Sequence, residues 1–121
     1  MNFEVDEAKL PQTLLGEPRP FAVIELNVAK VDAFWSRRES RDYIAPGGQG
    51  ASGDKYYRAR AWLTTQSSSK MPTLIARPNQ PVHFKFDDGR HRFAAWRDMG
   101  HETMPFCVPL DCRDALLRHF A

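Results

Sequence analysis

A short polar run, DDGRHRF at positions 87–93, brings two carboxylates, a glycine, two guanidinium groups and an imidazole together. The residues before it alternate as in a strand, and those after it have helical spacing, so a helix is expected to begin near Gly89. The first turn of a helix has unpaired N–H groups and a positive dipole end, and cations there are unfavourable unless an anion binds. The pattern is therefore typical of phosphate binding by Gly89, Arg90, His91 and Arg92, and a solvated helix start that happens to be basic is the alternative interpretation.

The two aspartates of this run have two interpretations. In the first, Asp87 and Asp88 hold Mg²⁺, and Asp88 and His91 are catalytic groups that serve a metal-dependent reaction. In the second, Asp88 caps the helix and the carboxylates form ion pairs with the arginines. The sequence leaves both interpretations open.

A second basic stretch, WSRRESR at positions 35–41, places an aromatic ring beside several arginines. It predicts DNA contacts through Arg37, Arg38 and Arg41, and a solvated helix is the alternative interpretation. The glycine-rich segment 48–53, GQGASG, has the spacing of a dinucleotide fingerprint but follows no hydrophobic strand, so it is predicted to be a loop over the site. The three tryptophans are predicted to pack in the core: Trp35, Trp62 and Trp96.

The elements that must position these groups follow from apolar patterning. Strands are predicted over residues 21–28, 72–77, 82–86 and 104–109, and helices over residues 29–40, 55–66, 89–99 and 111–120. This order predicts an α+β fold with a small mixed sheet and helices packed against it. Residues 1–20 are polar and interrupted by prolines, so they are predicted to form an N-terminal arm before a single domain over residues 21–121.

Composition limits the classes of function. The chain has 121 residues with a net charge of +2, so any attraction for a polyanion must be local. Cys107 and Cys112 have no common zinc or redox spacing and are predicted to be packing thiols. Residues 1–10 contain acidic groups rather than a basic start and an apolar run, and no segment has transmembrane length, which predicts a cytoplasmic protein without a membrane partner.

The motif GRHRFAA at 89–95 and the turn GHETMP at 100–105 resemble the core of the ParB/sulfiredoxin superfamily. Members of that superfamily have a Gly-x-x-Arg-x-x-Ala motif between a strand and a helix, followed by a Gly-x-x-x-x-Pro turn into a strand. The resemblance implies a ParB/sulfiredoxin-like fold in which Gly89, Arg90, His91 and Arg92 bind the phosphates of ATP or CTP, with Mg²⁺ as a further cofactor.

Two departures narrow what the resemblance implies. Arg90 occupies the position of the reactive cysteine of sulfiredoxins, so sulfinic-acid reduction is not expected. The chain also has no room for the helix-turn-helix of chromosome-partitioning ParB proteins. It is most similar to short ParB-like nuclease proteins, including plasmid fertility-inhibition proteins, which implies nucleotide hydrolysis or DNA cleavage. The alternative is a non-catalytic module whose basic motif binds an acidic protein or the DNA backbone.

Overall fold

The computed structural model describes residues 1–13, 15–37 and 41–121. The predicted α+β class is confirmed, and the four predicted strands and four predicted helices are present with bounds within a few residues of those expected, whereas the strands Asn2–Glu4 and Ser68–Lys70 were not predicted. No helix in the described residues is both long enough and apolar enough to cross a membrane. The strands are β1 Asn2–Glu4, β2 Phe21–Asn27, β3 Ser68–Lys70, β4 Thr73–Arg77, β5 Gln80–Asp88 and β6 Thr103–Pro109, and the helices are α1 Val28–Arg37, α2 Lys55–Thr65, α3 Arg90–Asp98 and α4 Arg113–Phe120.

The main sheet has four strands in the order β2-β6-β4-β5 and is mixed. β2 pairs antiparallel with β6, from Phe21 opposite Pro109 to Asn27 opposite Thr103. β4 pairs antiparallel with β5 and parallel with β6. The topology carries β5 directly into α3, so the polar run at 87–93 lies at the end of an edge strand.

Alternation along the strands places the core on one side of this sheet. In β5, Phe84 is buried whereas His83 and Lys85 are exposed, as the period of two predicts. Trp35 of α1 is fully buried and contacts the rings of Tyr43, Phe86 and Phe93 at centroid distances of 4.8, 4.7 and 5.7 Å. Burial of these large rings supplies most of the apolar area that holds α1 and α3 against the sheet.

The prediction that all three tryptophans lie in the core is wrong for Trp62. Trp35 and Trp96 are buried, but 53% of Trp62 is exposed. Helix α2 turns Tyr56 and Leu63 toward the core, and these residues are seven positions apart on one side of the helix. Trp62 therefore falls beside the buried stripe, and its ring faces solvent.

The two cysteines are free, buried thiols, as expected for packing residues. Cys107 lies in β6, and Cys112 ends a short 3-10 turn before α4. Burial, with the nearby Asp111 carboxylate, raises the pKa of Cys112 to about 11. A thiol with so high a pKa is a poor nucleophile at neutral pH.

The N-terminal residues are joined to the body of the domain by a second, two-stranded sheet. β1 pairs in parallel with β3, with Phe3 opposite Ser69. The Phe3 ring meets the Trp96 ring edge-on at a centroid distance of 5.0 Å. The start of the predicted arm therefore packs on helix α3.

We expect Phe3→Ala to lower the free energy of unfolding by about 1–3 kcal/mol, because it removes a half-buried ring and its edge contact with Trp96. Urea denaturation followed by circular dichroism measures this change. The matched control is Phe21→Ala, since Phe21 is 40% exposed on the edge strand β2 and should lose less stability. Equal losses in the two variants would show that β1 does not contribute to the domain.

Candidate functional site

The turn between β5 and α3 is built on a left-handed glycine. Gly89 has φ of 87° and ψ of 15°, a conformation that L-residues with a Cβ disfavour. A Cβ on Gly89 would also lie 2.8 Å from the Cα of Pro72. Two independent features therefore require glycine at position 89: the left-handed backbone angles, and the close approach of Pro72 in the segment before β4.

Helix α3 begins at this turn without a side-chain cap. Its first helical hydrogen bond runs from the Phe93 N–H to the Gly89 carbonyl at 2.9 Å. The N–H groups of Arg90, His91 and Arg92 precede that bond and have no acceptor within the helix. The start of α3 therefore presents donors and the positive end of the helix dipole.

Arg92 forms an ion pair across the turn. Its Nη2 donates to Asp88 Oδ2 at 2.6 Å, and both side chains are largely buried. This contact confirms the ion pair of the second interpretation. The predicted cap is wrong, because Gly89 is the N-cap of α3 and no side chain caps the helix. Asp88, predicted as a catalytic group and a metal ligand, and Arg92, predicted as a phosphate ligand, thus neutralise one another.

Arg90 and His91 reach away from the sheet to the glycine-rich loop before α2. Arg90 Nη1 donates to the Asp42 carbonyl at 2.9 Å, and its Nη2 donates to Ser52 Oγ at 2.8 Å. The backbone N–H of Ser52 donates to His91 Nε2 at 3.1 Å. Two neighbouring residues of α3 thereby hold both ends of the loop, and the partners Asp42 and Ser52 were not predicted from the sequence.

The contact with Ser52 requires His91 to be neutral at Nε2. Burial lowers the pKa of His91 below its usual 6.5, and the cations of Arg90, Lys55 and Arg92 lower it further. With Nε2 accepting, the proton of the neutral ring is on Nδ1. His91 is therefore a neutral donor and acceptor at neutral pH rather than a third cation.

A second cluster fixes the same loop at the other end of α3. Asp98 Oδ2 accepts from the Tyr56 hydroxyl at 2.6 Å and from the Gly47 N–H at 3.0 Å. Burial alone would raise the pKa of Asp98, but hydrogen bonds from Arg97, Tyr56 and the Gly47 N–H outweigh it and hold the pKa below its usual value. Arg97 Nη1 also donates to the Ile44 carbonyl at 2.6 Å.

These contacts enclose a cleft of about 290 Å³ between the start of α3, the end of β5 and the loop. Asp87 and Lys55 are exposed in its lining. Among the described residues, Lys55 forms no ion pair. The cleft thus combines uncapped N–H groups and one unpaired ammonium group, which suit a small anion, with three aspartates, of which Asp87 is exposed and Asp88 is paired with Arg92. The lining residues are Asp42, Ser52, Lys55, Phe86, Asp87, Asp88, Gly89, Arg90 and His91.

Arg37 and Arg41, which were predicted to contact DNA, are not among the residues that line this cleft. Arg37 ends α1 with its guanidinium 5.2 Å from the centre of the Phe34 ring, and Arg41 is exposed in a turn. Arg38 lies outside the described residues. Within residues 1–13, 15–37 and 41–121, no group of three or more His, Cys, Asp or Glu side chains is arranged to hold a metal ion.

Comparison with protein-family models, curated proteins and solved structures finds no match to this chain. The resemblance to the ParB/sulfiredoxin superfamily stays a prediction from the motif residues. The cleft must therefore be interpreted from its own geometry.

We expect Gly89→Ala to destabilise the protein by more than Gly100→Ala. Gly100 has nearly the same φ, 86°, but open space where a Cβ would be. The Gly100 variant should cost about 1–2 kcal/mol of unfolding free energy for its left-handed backbone alone. The Gly89 variant should lose more unfolding free energy, because its Cβ also clashes with Pro72. Equal losses of unfolding free energy in the two variants, measured by urea denaturation, would show that Pro72 moves aside freely.

We expect NMR titration of His91 to give a pKa below 6.5, with the Ser52 amide signal changing over the same range. Because the folded state disfavours the protonated ring, this contribution to stability is present above pH 6.5 and is lost as the pH falls through the folded pKa. His91→Gln should remove that part of the pH dependence, and His83→Gln, at an exposed position, should retain it. A His91 pKa above 6.5 would contradict the Ser52 contact.

Proposed function

We propose that the cleft at the start of α3 binds the phosphate of a nucleotide, and that binding is its primary activity. The observation that carries this proposal is the uncapped N-terminus of α3, opened by Gly89 and facing Lys55. Backbone donors and a nearby cation stabilise a phosphate without the need for a high net charge. The N–H groups of Arg90 and His91, which line the cleft, supply the backbone donors, and Lys55 is a proposed ligand that was not predicted from the sequence.

The arginines have a different role from the one that the sequence predicted. Arg90 holds the loop that forms one wall of the cleft, and Arg92 orients the carboxylate of Asp88. We therefore propose that both act mainly through the shape of the cleft, whereas Lys55 and the N–H groups contact the anion. Mg²⁺, where it takes part, would reach Asp87 and the phosphate oxygens together, because the cation prefers oxygen ligands and retains waters.

A non-catalytic module is the second candidate function. The observation that favours it is that both predicted catalytic side chains, Asp88 and His91, hold structural partners within the protein. Hydrolysis of a nucleotide or of DNA would require one of these contacts to break. We expect the ligand in either case to come from the cytoplasm, in line with the sequence prediction.

We expect ATP or CTP with Mg²⁺ to raise the thermal midpoint of the wild-type protein, and Lys55→Met to reduce that shift. At about 100 times the dissociation constant, binding to the folded state adds about 2.7 kcal/mol. Loss of the ammonium group should weaken binding by about tenfold, as expected for one charge-assisted contact of about 1.5 kcal/mol. Unliganded Lys55→Met should be as stable as the wild type, because Lys55 forms no ion pair in the described part of the chain.

Lys85→Met is the matched control, since Lys85 is exposed on β5 but outside the cleft. It changes the net charge equally and should leave the nucleotide shift unchanged. No shift with any nucleotide or with inorganic phosphate would overturn phosphate binding and leave the interaction module. An equal decrease in both variants would assign the effect to net charge rather than to this cleft.

A further inference from the structure

The exposed side of α2 has one sign of charge. From Lys55 to Phe86 the chain contains no aspartate or glutamate. Lys55, Arg58 and Trp62 are spaced at i, i+3 and i+7, so they form one ridge along the helix. Lys55 lines the phosphate cleft, and the ridge runs from it over about 10 Å at 1.5 Å per residue.

Trp62 ends this ridge as a fixed aromatic surface. Its indole Nε1 donates to the Ser68 carbonyl at 2.9 Å, which holds the ring against β3 while 53% of the residue remains exposed. Trp62 and Ala59 form one wall of a groove of about 310 Å³, with Ser69 and Lys70 of β3 opposite. An exposed ring that is already oriented loses little entropy when a flat group stacks on it.

The groove and the phosphate cleft are neighbours. Arg92 lines the groove, and its partner Asp88 lines the cleft. Two cations near these sites form only weak ion pairs. Arg58 lies 3.9 Å from Asp54, and Lys70 lies 3.4 Å from Glu4. All four side chains are solvent-exposed. Exposed pairs of this kind contribute little and are readily exchanged for a phosphate.

We propose that α2 and this groove bind a single-stranded nucleic acid, with the backbone along Lys55 and Arg58 and a base stacked on Trp62. This inference rests on the proposed phosphate cleft, which would bind the phosphate at the Lys55 end of the nucleic acid. A fixed ring beside a row of cations matches a polymer that alternates phosphates and flat bases. A duplex keeps its bases stacked on each other, and an acidic peptide offers no regular flat group, so neither uses Trp62.

The experiment is a titration of the full chain with a labelled oligothymidylate, followed by fluorescence anisotropy and by tryptophan emission. Trp62→Ala should weaken binding by at least about fivefold, as one lost stacking contact implies, and Trp62→Phe should keep most of the affinity. Trp35 and Trp96 are buried, so the quenching of emission by the oligonucleotide should disappear in both variants. The two phosphate contacts of Lys55 and Arg58 predict a salt slope of about −1.4 on a single strand.

Tyr57→Ala is the matched control, because Tyr57 is 65% exposed on the opposite side of α2 and should not affect binding. Equal weakening by Tyr57→Ala and Trp62→Ala would overturn the proposal, as would equal affinity for a duplex or for polyglutamate. Thermal shifts with ATP, CTP and inorganic phosphate separate the two proposals. If the thermal shifts with nucleotide are retained but the oligonucleotide does not bind, only the nucleic-acid proposal is overturned. If both the shifts and oligonucleotide binding are absent, the phosphate cleft is overturned as well.

Discussion

The side chain of Arg97 is charged, yet only 9% of it is exposed. Three parts of the chain meet around it. Its guanidinium binds Asp32 of α1 and Asp98 of α3 at 2.9 Å each, and the Ile44 carbonyl of the loop. A buried cation is costly unless it is paired and hydrogen-bonded, so these partners are constrained to remain together. Through Asp98 the same constraint extends to Tyr56 of α2 and to the Gly47 N–H. The glycine-rich loop is thereby fixed before any ligand is considered.

The shape of the cleft follows from this arrangement. Arg97 and Asp98 hold the loop near residues 44–47, and Arg90 and His91 hold it at Asp42 and Ser52. Helix α3 therefore contacts the loop from both of its ends. The loop forms a wall that is held both by charged side chains of α3 and by apolar packing, since Ile44 is fully buried and Tyr43 packs on Trp35. The polar contacts depend on pH and on neighbouring charges, and His91 is the member whose titration range lies closest to neutrality.

The arginines at the start of α3 carry the electrostatic cost that the sequence predicts, but a bound anion is not its only explanation. Cations near a helix N-terminus are unfavourable, and from the sequence alone this placement predicts a bound anion. The structure supplies internal partners for both arginines, Asp88 for Arg92 and the loop oxygens for Arg90. These contacts offset much of the repulsion without a ligand. Lys55 comes from another helix and forms no ion pair among the described residues, which is why the proposed phosphate contact rests on it.

The sequence by itself determined the four strands of the main sheet, the four helices and the position of the turn, but not β1 and β3, which are short and pair only through the tertiary structure. Alternation in β5, the glycine at position 89 and the apolar spacing of α3 are short-range signals, and short-range physics is enough to interpret them. The sequence also placed Asp88 four residues before Arg92, close enough for the ion pair to be one of two open interpretations. The tertiary structure shows this ion pair, with both side chains about three-quarters buried. It also decided that Ser52 meets His91 across 39 positions and that Trp62 faces solvent. Such contacts depend on how α2, the loop and α3 pack, and no local pattern encodes the distance between residues so far apart along the chain.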